Sequence, residues 1–234
     1  MTERGPLVRE AYLLAGPTAS GKSAIAATLA REMGARILSA DSMLVYKGMN
    51  IGTAKPPPEE IAEFGMGGVD VVTPAEEFSS GAWLRSAAEW ARTIPERTPI
   101  VIVGGTGLYF SALLRGLDRK WEKPPPEYPV IRIDRAVVRA RIAARLDDMY
   151  MAGLEAEKRA LHGKYPVWSK TASLAIGYRE GDTKEKILTR TCQLAKRQDT
   201  WFRHQATPIY VEPTVEAVRA CWRDRGPWSV EFMV

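Results

Sequence analysis

Short apolar runs alternate along this chain with longer stretches in which apolar residues recur every three or four positions. The short runs predict buried strands, at 11–15, 35–39, 69–72, 99–103, 130–133 and 208–211. The longer stretches predict helices, at about 22–33, 80–93, 108–114, 135–151, 154–161, 182–204 and 215–223. Strands that alternate with helices predict an α/β fold with a mostly parallel sheet flanked by helices.

Two segments interrupt this alternation. Residues 47–68 carry three prolines and several glycines, and we expect a long surface loop there. The proline-rich stretch 121–129 (WEKPPPEYP) is the best candidate for a joint. Further on, Asp182 is predicted to cap the long helix, with Glu185 three residues later as in a capping box.

The length and composition are those of one soluble globular domain, predicted to span residues 1–234. Hydrophobic residues make up 45% and charged residues 26%, which excludes a disordered chain. Cys192 and Cys221 are too few for a disulfide framework and fit a reducing compartment. No apolar run approaches the ~18 residues of a membrane span, and MTERGPLVRE lacks the apolar core of a signal peptide. We therefore expect a cytoplasmic monomer without membrane contact.

The net charge of +5 is distributed unevenly. Up to residue 118 there are 11 Lys and Arg against 13 Asp and Glu, whereas the rest of the chain has 22 against 15. A positive second half favours contact with a polyanion such as nucleic acid, although ordinary solvated helices also carry excess arginine.

A glycine-rich segment follows the first predicted strand and precedes the first predicted helix. It fits G-x-x-x-x-G-K-[ST], the phosphate loop (P-loop) of P-loop NTPase-like folds, with residues Gly16, Pro17, Thr18, Ala19, Ser20, Gly21, Lys22 and Ser23. In such a loop, backbone amides and the start of the helix face a phosphate. Lys22 adds a point charge and Ser23 can hold Mg²⁺. The sequence therefore predicts a site for a diphosphate or triphosphate.

Two further predicted strands, at 35–39 and 99–103, are followed by different functional groups. Asp41 follows the second strand, at the edge where ligands gather in parallel sheets. This carboxylate can hold Mg²⁺, accept a proton from a nucleophile, or simply cap the turn. The strand at 99–103 ends in Gly104-Gly105-Thr106-Gly107 rather than in the acid expected of a hydrolytic NTPase. The small residues there either admit a substrate or make a tight turn.

Several motifs together resemble the tRNA dimethylallyltransferase (tRNA isopentenyltransferase) family. They are GPTASGKSAIAATLA, SADSMLVYKGMNIGTAKP, PIVIVGGTGLYFSALLRGL, RIAARLDDMYMAGLEAE, AIGYRE and LAKRQDTWFR, in that order along nearly the whole chain. The resemblance implies transfer of a dimethylallyl group from dimethylallyl diphosphate to N6 of the adenosine 3′ of a tRNA anticodon. It also implies that the P-loop holds the donor's diphosphate, with Mg²⁺ at Ser23, and that the adenine leaves its stack to react.

Residue roles carry over from the matching motifs. Asp41 matches the general base, Thr106 matches a residue near donor and target base, and Lys22 stabilises the departing diphosphate. Diphosphate contacts are expected from residues 16–23 and from Arg197. We expect tRNA contacts from Asp41, Ser42, Met43, Leu44, Thr106, Arg190, Lys196, Arg197 and Gln198. Independently of the family, four polar residues recur at helical spacing on one face: Lys186, Arg190, Gln193 and Arg197.

The sequence departs from the family pattern in three places. Leu44 stands where the family usually has Gln, the usual His pair is absent from GMGGVDVV, and the helical insertion that grips tRNA is reduced to a linker at about 118–129. Three interpretations follow: a compact tRNA enzyme, an enzyme that prenylates AMP or another free adenine nucleotide, or a P-loop small-molecule kinase or inactive relative. The intact Lys22, Asp41 and Thr106 argue against inactivity, and AKRQDTWFR favours tRNA.

Overall fold

The computed structural model describes residues 7–117, 127–179 and 181–232. Six strands form one sheet: β1 (Leu7–Ala15), β2 (Arg36–Ser39), β3 (Ile100–Gly104), β4 (Glu127–Ile131), β5 (Thr207–Val211) and β6 (Trp228–Phe232). Eight helices accompany it: α1 (Lys22–Met33), α2 (Pro58–Phe64), α3 (Ser80–Thr93), α4 (Gly107–Arg115), α5 (Arg135–Met151), α6 (Leu154–Lys164), α7 (Lys184–Gln205) and α8 (Val215–Arg225). The predicted α/β fold with a mostly parallel sheet is confirmed.

The sheet order is β2-β3-β1-β4-β5, and all four neighbouring pairs are parallel. The sixth strand is antiparallel and pairs with the first half of β1, from Leu7 opposite Phe232 to Ala11 opposite Trp228. β4 meets β1 only at Ala15. The strand that leads into the P-loop is therefore central, with β3 on one side and β6 and β4 sharing the other.

Alternation along the central strands divides the core between the two faces of the sheet. Leu13 packs in a large cluster with Trp83, Phe110 and Phe202. Leu14, the next residue, packs in a second cluster with residues of α1 and α8, including Leu29 and Trp222. Helices thus cover both faces, and the carboxyl edge of the parallel strands is left for ligands.

Two sequence-based predictions of elements were wrong, and one strand was missed. Residues 69–72 form no strand, only a single bridge between Val72 and Tyr46. The predicted loop at 47–68 contains α2, whose proline at the first helical position suits a helix start. β6 was not predicted at all.

The start of α7 also differs from the prediction. Its N-cap is Thr183, whose hydroxyl accepts a hydrogen bond from the Lys186 amide. Asp182 is instead buried, where its carboxylate accepts a hydrogen bond from the Gly177 amide and pairs with Arg190. Among the described residues, no helix has both the length and the apolar character needed to cross a membrane.

Most of the predicted joint lies outside the described residues, since 118–126 are not among them. Its last residues, 127–129, belong to β4. Strands from before and after this segment, β3 and β4, both pair with β1.

Candidate active site

Three loops meet at the carboxyl edge of the sheet. They follow β1, β2 and β3, which are neighbours in the sheet. They carry Lys22, Asp41 and Thr106 respectively. Because parallel strands end at the same edge, residues that are far apart in the sequence line one site.

The P-loop connects β1 to α1 by a tight turn. Gly21 has φ 91° and Ala19 has φ 62°, and the Gly16 amide donates to the Gly104 carbonyl at 3.3 Å. The Lys22 ammonium folds back to donate to the Pro17 carbonyl at 3.1 Å. The Lys22 ammonium therefore lies on the inner side of the P-loop, at the start of α1.

Lys22 is buried and its charge is sensitive to pH. Burial lowers the pKa of the Lys22 ammonium to about 8, the nearby Asp41 carboxylate opposes this shift, and Arg145 adds to it. An anion that enters the loop would favour the charged form of Lys22.

Asp41 and Thr106 are fixed by the backbone around them. One oxygen of the Asp41 carboxylate accepts a hydrogen bond from the Met43 amide at 2.8 Å. The Thr106 hydroxyl accepts one from the Ser42 amide at 3.0 Å, and the Thr106 amide donates to the Ala40 carbonyl at 3.1 Å. A Cβ at Gly104 would lie 2.1 Å from that same carbonyl oxygen, so only glycine lets these two loops approach.

Gln198 of α7 links the loops after β1 and β3. Its side-chain oxygen accepts a hydrogen bond from the Thr18 amide at 2.8 Å, and its side-chain nitrogen donates to the Gly105 carbonyl at 3.0 Å. The residue predicted to contact tRNA thus also positions the P-loop.

Two arginines of α5, which the sequence analysis did not assign to the site, reach the P-loop. Arg145 donates to the Thr18 hydroxyl at 2.9 Å, and Arg141 donates to the Ser20 carbonyl at 3.2 Å. Burial lowers the pKa of the Arg145 guanidinium, and Asp41 opposes that shift. Their i, i+4 spacing puts them on one helix face, but no local pattern shows that this face meets the loop.

Two adjoining cavities occupy the site. The smaller, about 320 Å³, includes Lys22, Ser23 and Leu44 in its lining. The larger, about 570 Å³, has apolar walls from α5 and α7 that include Ile142, Leu146 and Leu194. Four residues line both cavities: Thr18, Asp41, Thr53 and Arg145.

Most of the predicted site residues line one or both of these cavities, whereas Gly16, Pro17 and Ser20 line neither. The larger cavity is lined by Asp41, Ser42, Met43, Thr106, Arg190, Arg197 and Gln198. Leu44, predicted to lie near the target base, lines the smaller cavity with Ile37 and Met66. Lys196 lines neither cavity, and Lys186 donates instead to the Gly181 carbonyl.

Thr53, another residue that sequence analysis missed, is placed by α6. The Glu157 carboxylate accepts hydrogen bonds from the amides of Ile51 and Asn50, at 2.9 and 3.2 Å. It also accepts one from the Tyr178 hydroxyl at 2.5 Å. Through these hydrogen bonds the half-buried Glu157 holds the loop that carries Thr53 into the wall between the cavities.

This architecture is that of an α/β enzyme whose glycine-rich loop and strand-end carboxylate share one divided site. Comparison with protein families identifies the class more closely. The profile described as IPP transferase matches residues 44–132 and 119–205, and one described as isopentenyl transferase matches residues 9–65. The chain belongs to the IPP transferase family, also called tRNA dimethylallyltransferases, and is a prenyl-transferring enzyme.

Individual relatives agree with this assignment. A tRNA dimethylallyltransferase of Thioalkalivibrio sulfidiphilus is 32% identical over 283 aligned positions, which cover 85% of this chain and 88% of the relative. One of Phenylobacterium zucineum is 47% identical over 139 residues, 59% of this chain and 42% of the relative. The crystal structure of a tRNA isopentenylpyrophosphate transferase from Bacillus halodurans has the same fold, with a TM-score of 0.79, 23% identity and coverage of 93% and 95%.

Proposed function

We propose that this enzyme transfers the dimethylallyl group of dimethylallyl diphosphate to N6 of the adenosine 3′-adjacent to a tRNA anticodon. Diphosphate is the second product. One observation supports this assignment above others: the Asp41 carboxylate lines both the P-loop cavity and the larger cavity. A base at that junction lies between a phosphorylated donor and an acceptor that enters from the other side.

The bond changes assign a task to Asp41. The N6 lone pair attacks C1 of the dimethylallyl group, and the C1–O bond breaks with its electron pair remaining on the diphosphate. The attacking nitrogen then carries one proton too many, and the Asp41 carboxylate accepts it. The hydrogen bond from the Met43 amide holds one carboxylate oxygen. The second oxygen receives no hydrogen bond from the residues described, and it is available to N6.

The departing diphosphate is stabilised by fixed positive groups. Lys22 and Arg145 line the smaller cavity together with P-loop residues, and such preorganised positive groups favour a transition state in which charge grows on the leaving group. Among the described residues no cluster of three His, Cys, Asp or Glu could bind a metal. Ser23 still fits Mg²⁺, because P-loop sites hold this ion through one hydroxyl, the substrate phosphates and water. Bound Mg²⁺ would supply further positive charge there.

The cations at the mouth of the larger cavity favour RNA over a free nucleotide as the acceptor. Arg197 lines this cavity on α7 with no ion pair to a described carboxylate, whereas Arg190 is paired with Asp182. Arg197 above all would meet the phosphates that flank a flipped adenosine. We propose that Arg197 contributes to diphosphate binding from this side, and that the reaction takes place in the cytoplasm on a monomeric enzyme.

We further propose that the chain is a single domain in which the family's tRNA-binding insertion is reduced to the linker at 118–129. The alignment with the Thioalkalivibrio sulfidiphilus relative spans 283 positions, more than the 234 residues of this chain. The relative therefore has residues with no counterpart here. Contacts made by such residues must be replaced or lost in this chain.

The experiment combines purified enzyme, Mg²⁺ and labelled dimethylallyl diphosphate with two acceptors in parallel. One is an anticodon stem-loop with adenosine at the 3′ flank, and the other is AMP. Label in the stem-loop, abolished when that adenosine is replaced by guanosine, is the expected result. Label in AMP alone would overturn the assignment to tRNA in favour of a free adenine nucleotide, and transfer to neither would overturn the proposed function.

A further inference from the structure

A second, more basic depression lies behind the wall of the larger cavity. This groove, about 1110 Å³, runs between α5, α7 and the ends of β4 and β5, and it begins at Pro17 of the P-loop. We call it the basic groove. Its lining includes six cationic residues: Arg132, Arg135, Arg139, Arg141, Lys196 and Arg203.

The positive charge of the basic groove is only partly compensated. Asp199 pairs with Arg203 at 3.0 Å and with Arg135 at 4.0 Å. Asp134 is used as the N-cap of α5. By contrast, four exposed cations have no carboxylate of the described residues within ion-pair distance: Arg132, Arg139, Arg141 and Lys196. Arg141 donates to P-loop carbonyls instead. Glu212 lines the groove as a third acidic residue, so six cationic residues stand against three acidic ones and the lining keeps a net positive charge.

An aromatic ring lies among these cations. Tyr210 of β5 is 40% exposed, and the Arg132 guanidinium lies 5.5 Å from the centre of its ring. Cations next to an accessible aromatic ring are typical of surfaces that bind a nucleic-acid backbone and stack on a base.

A continuous face of α7 connects the larger cavity to the basic groove. Gln193 and Arg197 line the cavity and also a shallow surface pocket with Lys196, Thr200 and Trp201. Lys196 in turn lines the basic groove. Residues 193, 196, 197 and 200 have the spacing of one helix face, so an extended polyanion could pass from the cavity over α7 into the groove.

We infer that the basic groove binds the phosphate backbone of the acceptor RNA beyond its reacting adenosine. This inference rests on the proposed function and extends it, because it adds Arg132 and Arg139 to the expected contact Lys196 as backbone contacts, and Tyr210 as a stacking surface. The contacts are independent of base sequence. They would add a second region of contact with the substrate to those in the larger cavity.

The test uses a triple variant, Arg132→Ala, Arg139→Ala and Lys196→Ala. Its matched control, Arg85→Ala, Arg97→Ala and Arg223→Ala, removes the same charge from exposed positions outside the groove and both cavities. Binding of the anticodon stem-loop is measured over a range of salt concentrations, beside binding of a short single-stranded RNA that contains only the target adenosine and its neighbours. Donor affinity is measured for both variants.

The groove variant should bind the stem-loop at least about tenfold more weakly, with a salt slope lower by about two, since each phosphate contact contributes roughly 0.7 to 0.9 to that slope. Binding of the short RNA and of the donor should not change. Equal stem-loop affinity of the two triple variants would overturn the inference, as would equal weakening of both RNAs. Failure of the proposed function would appear separately, as absence of prenyl transfer by the unmodified enzyme.

Discussion

Lys22, Asp41 and Arg145 place two positive groups and one negative group around the junction of the two cavities. Burial lowers the pKa of both cations, and Asp41 opposes the shift in each case. The carboxylate therefore favours the charged forms of its neighbours in the resting enzyme, and in the proposed reaction it would also be the base for the acceptor. The diphosphate would replace Asp41 as the principal counter-charge of the cations when it binds.

Asp41→Asn removes the base and leaves the size of the side chain almost unchanged. We expect prenyl transfer to fall about 100- to 10,000-fold, while the dissociation constant of the donor changes little. Single-turnover transfer and donor titration measure the two quantities. Asp148→Asn, at an exposed position of α5, is the control and should transfer at the normal rate. Near-normal transfer by Asp41→Asn would exclude this carboxylate as the base.

Donor binding should weaken above the pKa of Lys22, which is about 8 in the free enzyme. Because the pKa is lowered, the ammonium is charged below about pH 8 and neutral above it, so the donor affinity should fall up to about tenfold per pH unit beyond that point. Lys22→Arg keeps its charge throughout and should show no such fall. Calorimetric titration between pH 7 and 9 makes the comparison. A flat profile for the unmodified enzyme would contradict the assignment.

The residues predicted from sequence are those marked by local signals. Lys22 lies in a continuous motif, and Asp41 and Thr106 each follow an apolar run directly, so their convergence follows from strand order alone. Arg145, Thr53 and Glu157 depend on where α5 and α6 pack against the sheet. No spacing within either helix carries that information, and only the folded chain shows it.

At the scale of elements, α7 is held against the sheet edge by close packing as well as by hydrogen bonds. Gln198 bonds to the loops after β1 and β3, and one turn later Trp201 lies over Gly107 at the start of α4. A Cβ at Gly107 would lie 2.0 Å from the Trp201 ring. The contact between α4 and α7 therefore fixes the helix that carries Arg190 and Arg197.

Gly107→Ala should force these two helices apart. We expect the free energy of unfolding to fall by about 1–3 kcal/mol through overpacking, together with weaker RNA binding because α7 is displaced. Denaturant titration gives the first quantity. Gly163→Ala in α6 is the matched control, since nothing lies within 4 Å of its added Cβ. It should stabilise the protein by roughly 0.5–1 kcal/mol. Equal free energies of unfolding for the two variants would show that the Trp201 ring moves aside without loss of stability.

Helices with clear periodicity were predicted well, and elements with mixed signals were not. The bounds of α3 and α5 agree with the predictions of 80–93 and 135–151. α2 was missed because three prolines suggested a loop, although proline suits a helix start. β6 has the alternating pattern W-S-V-E-F, in which Val230 and Phe232 are buried. That alternation is the signal that could have identified it.

For the molecule as a whole, β1 is the strand that connects the rest of the sheet. It pairs with β3, β4 and β6 and supplies residues to the clusters on both faces. The pairing with β6 joins the two ends of the described chain, so the support of the P-loop strand comes from residues more than 200 positions away.

Phe232→Ala tests how much β6 contributes. The side chain is fully buried in the main core cluster, so its loss should lower the free energy of unfolding by about 3–5 kcal/mol. Val8→Ala in β1 is the control, because Val8 is 58% exposed and should cost within about 0.5 kcal/mol. Thermal or denaturant unfolding of both variants decides the question. Similar losses for the two would show that β6 adds little to the sheet.

The position of β6 also has a consequence for synthesis. Of the six strands, β1 leaves the ribosome first and its antiparallel partner leaves last. At roughly 5–20 residues per second, the nascent chain extends for tens of seconds with that side of β1 unpaired. An open strand edge is a template for pairing with other chains. A polypeptide interrupted before Trp228 keeps this edge open, so we expect such incomplete chains to aggregate.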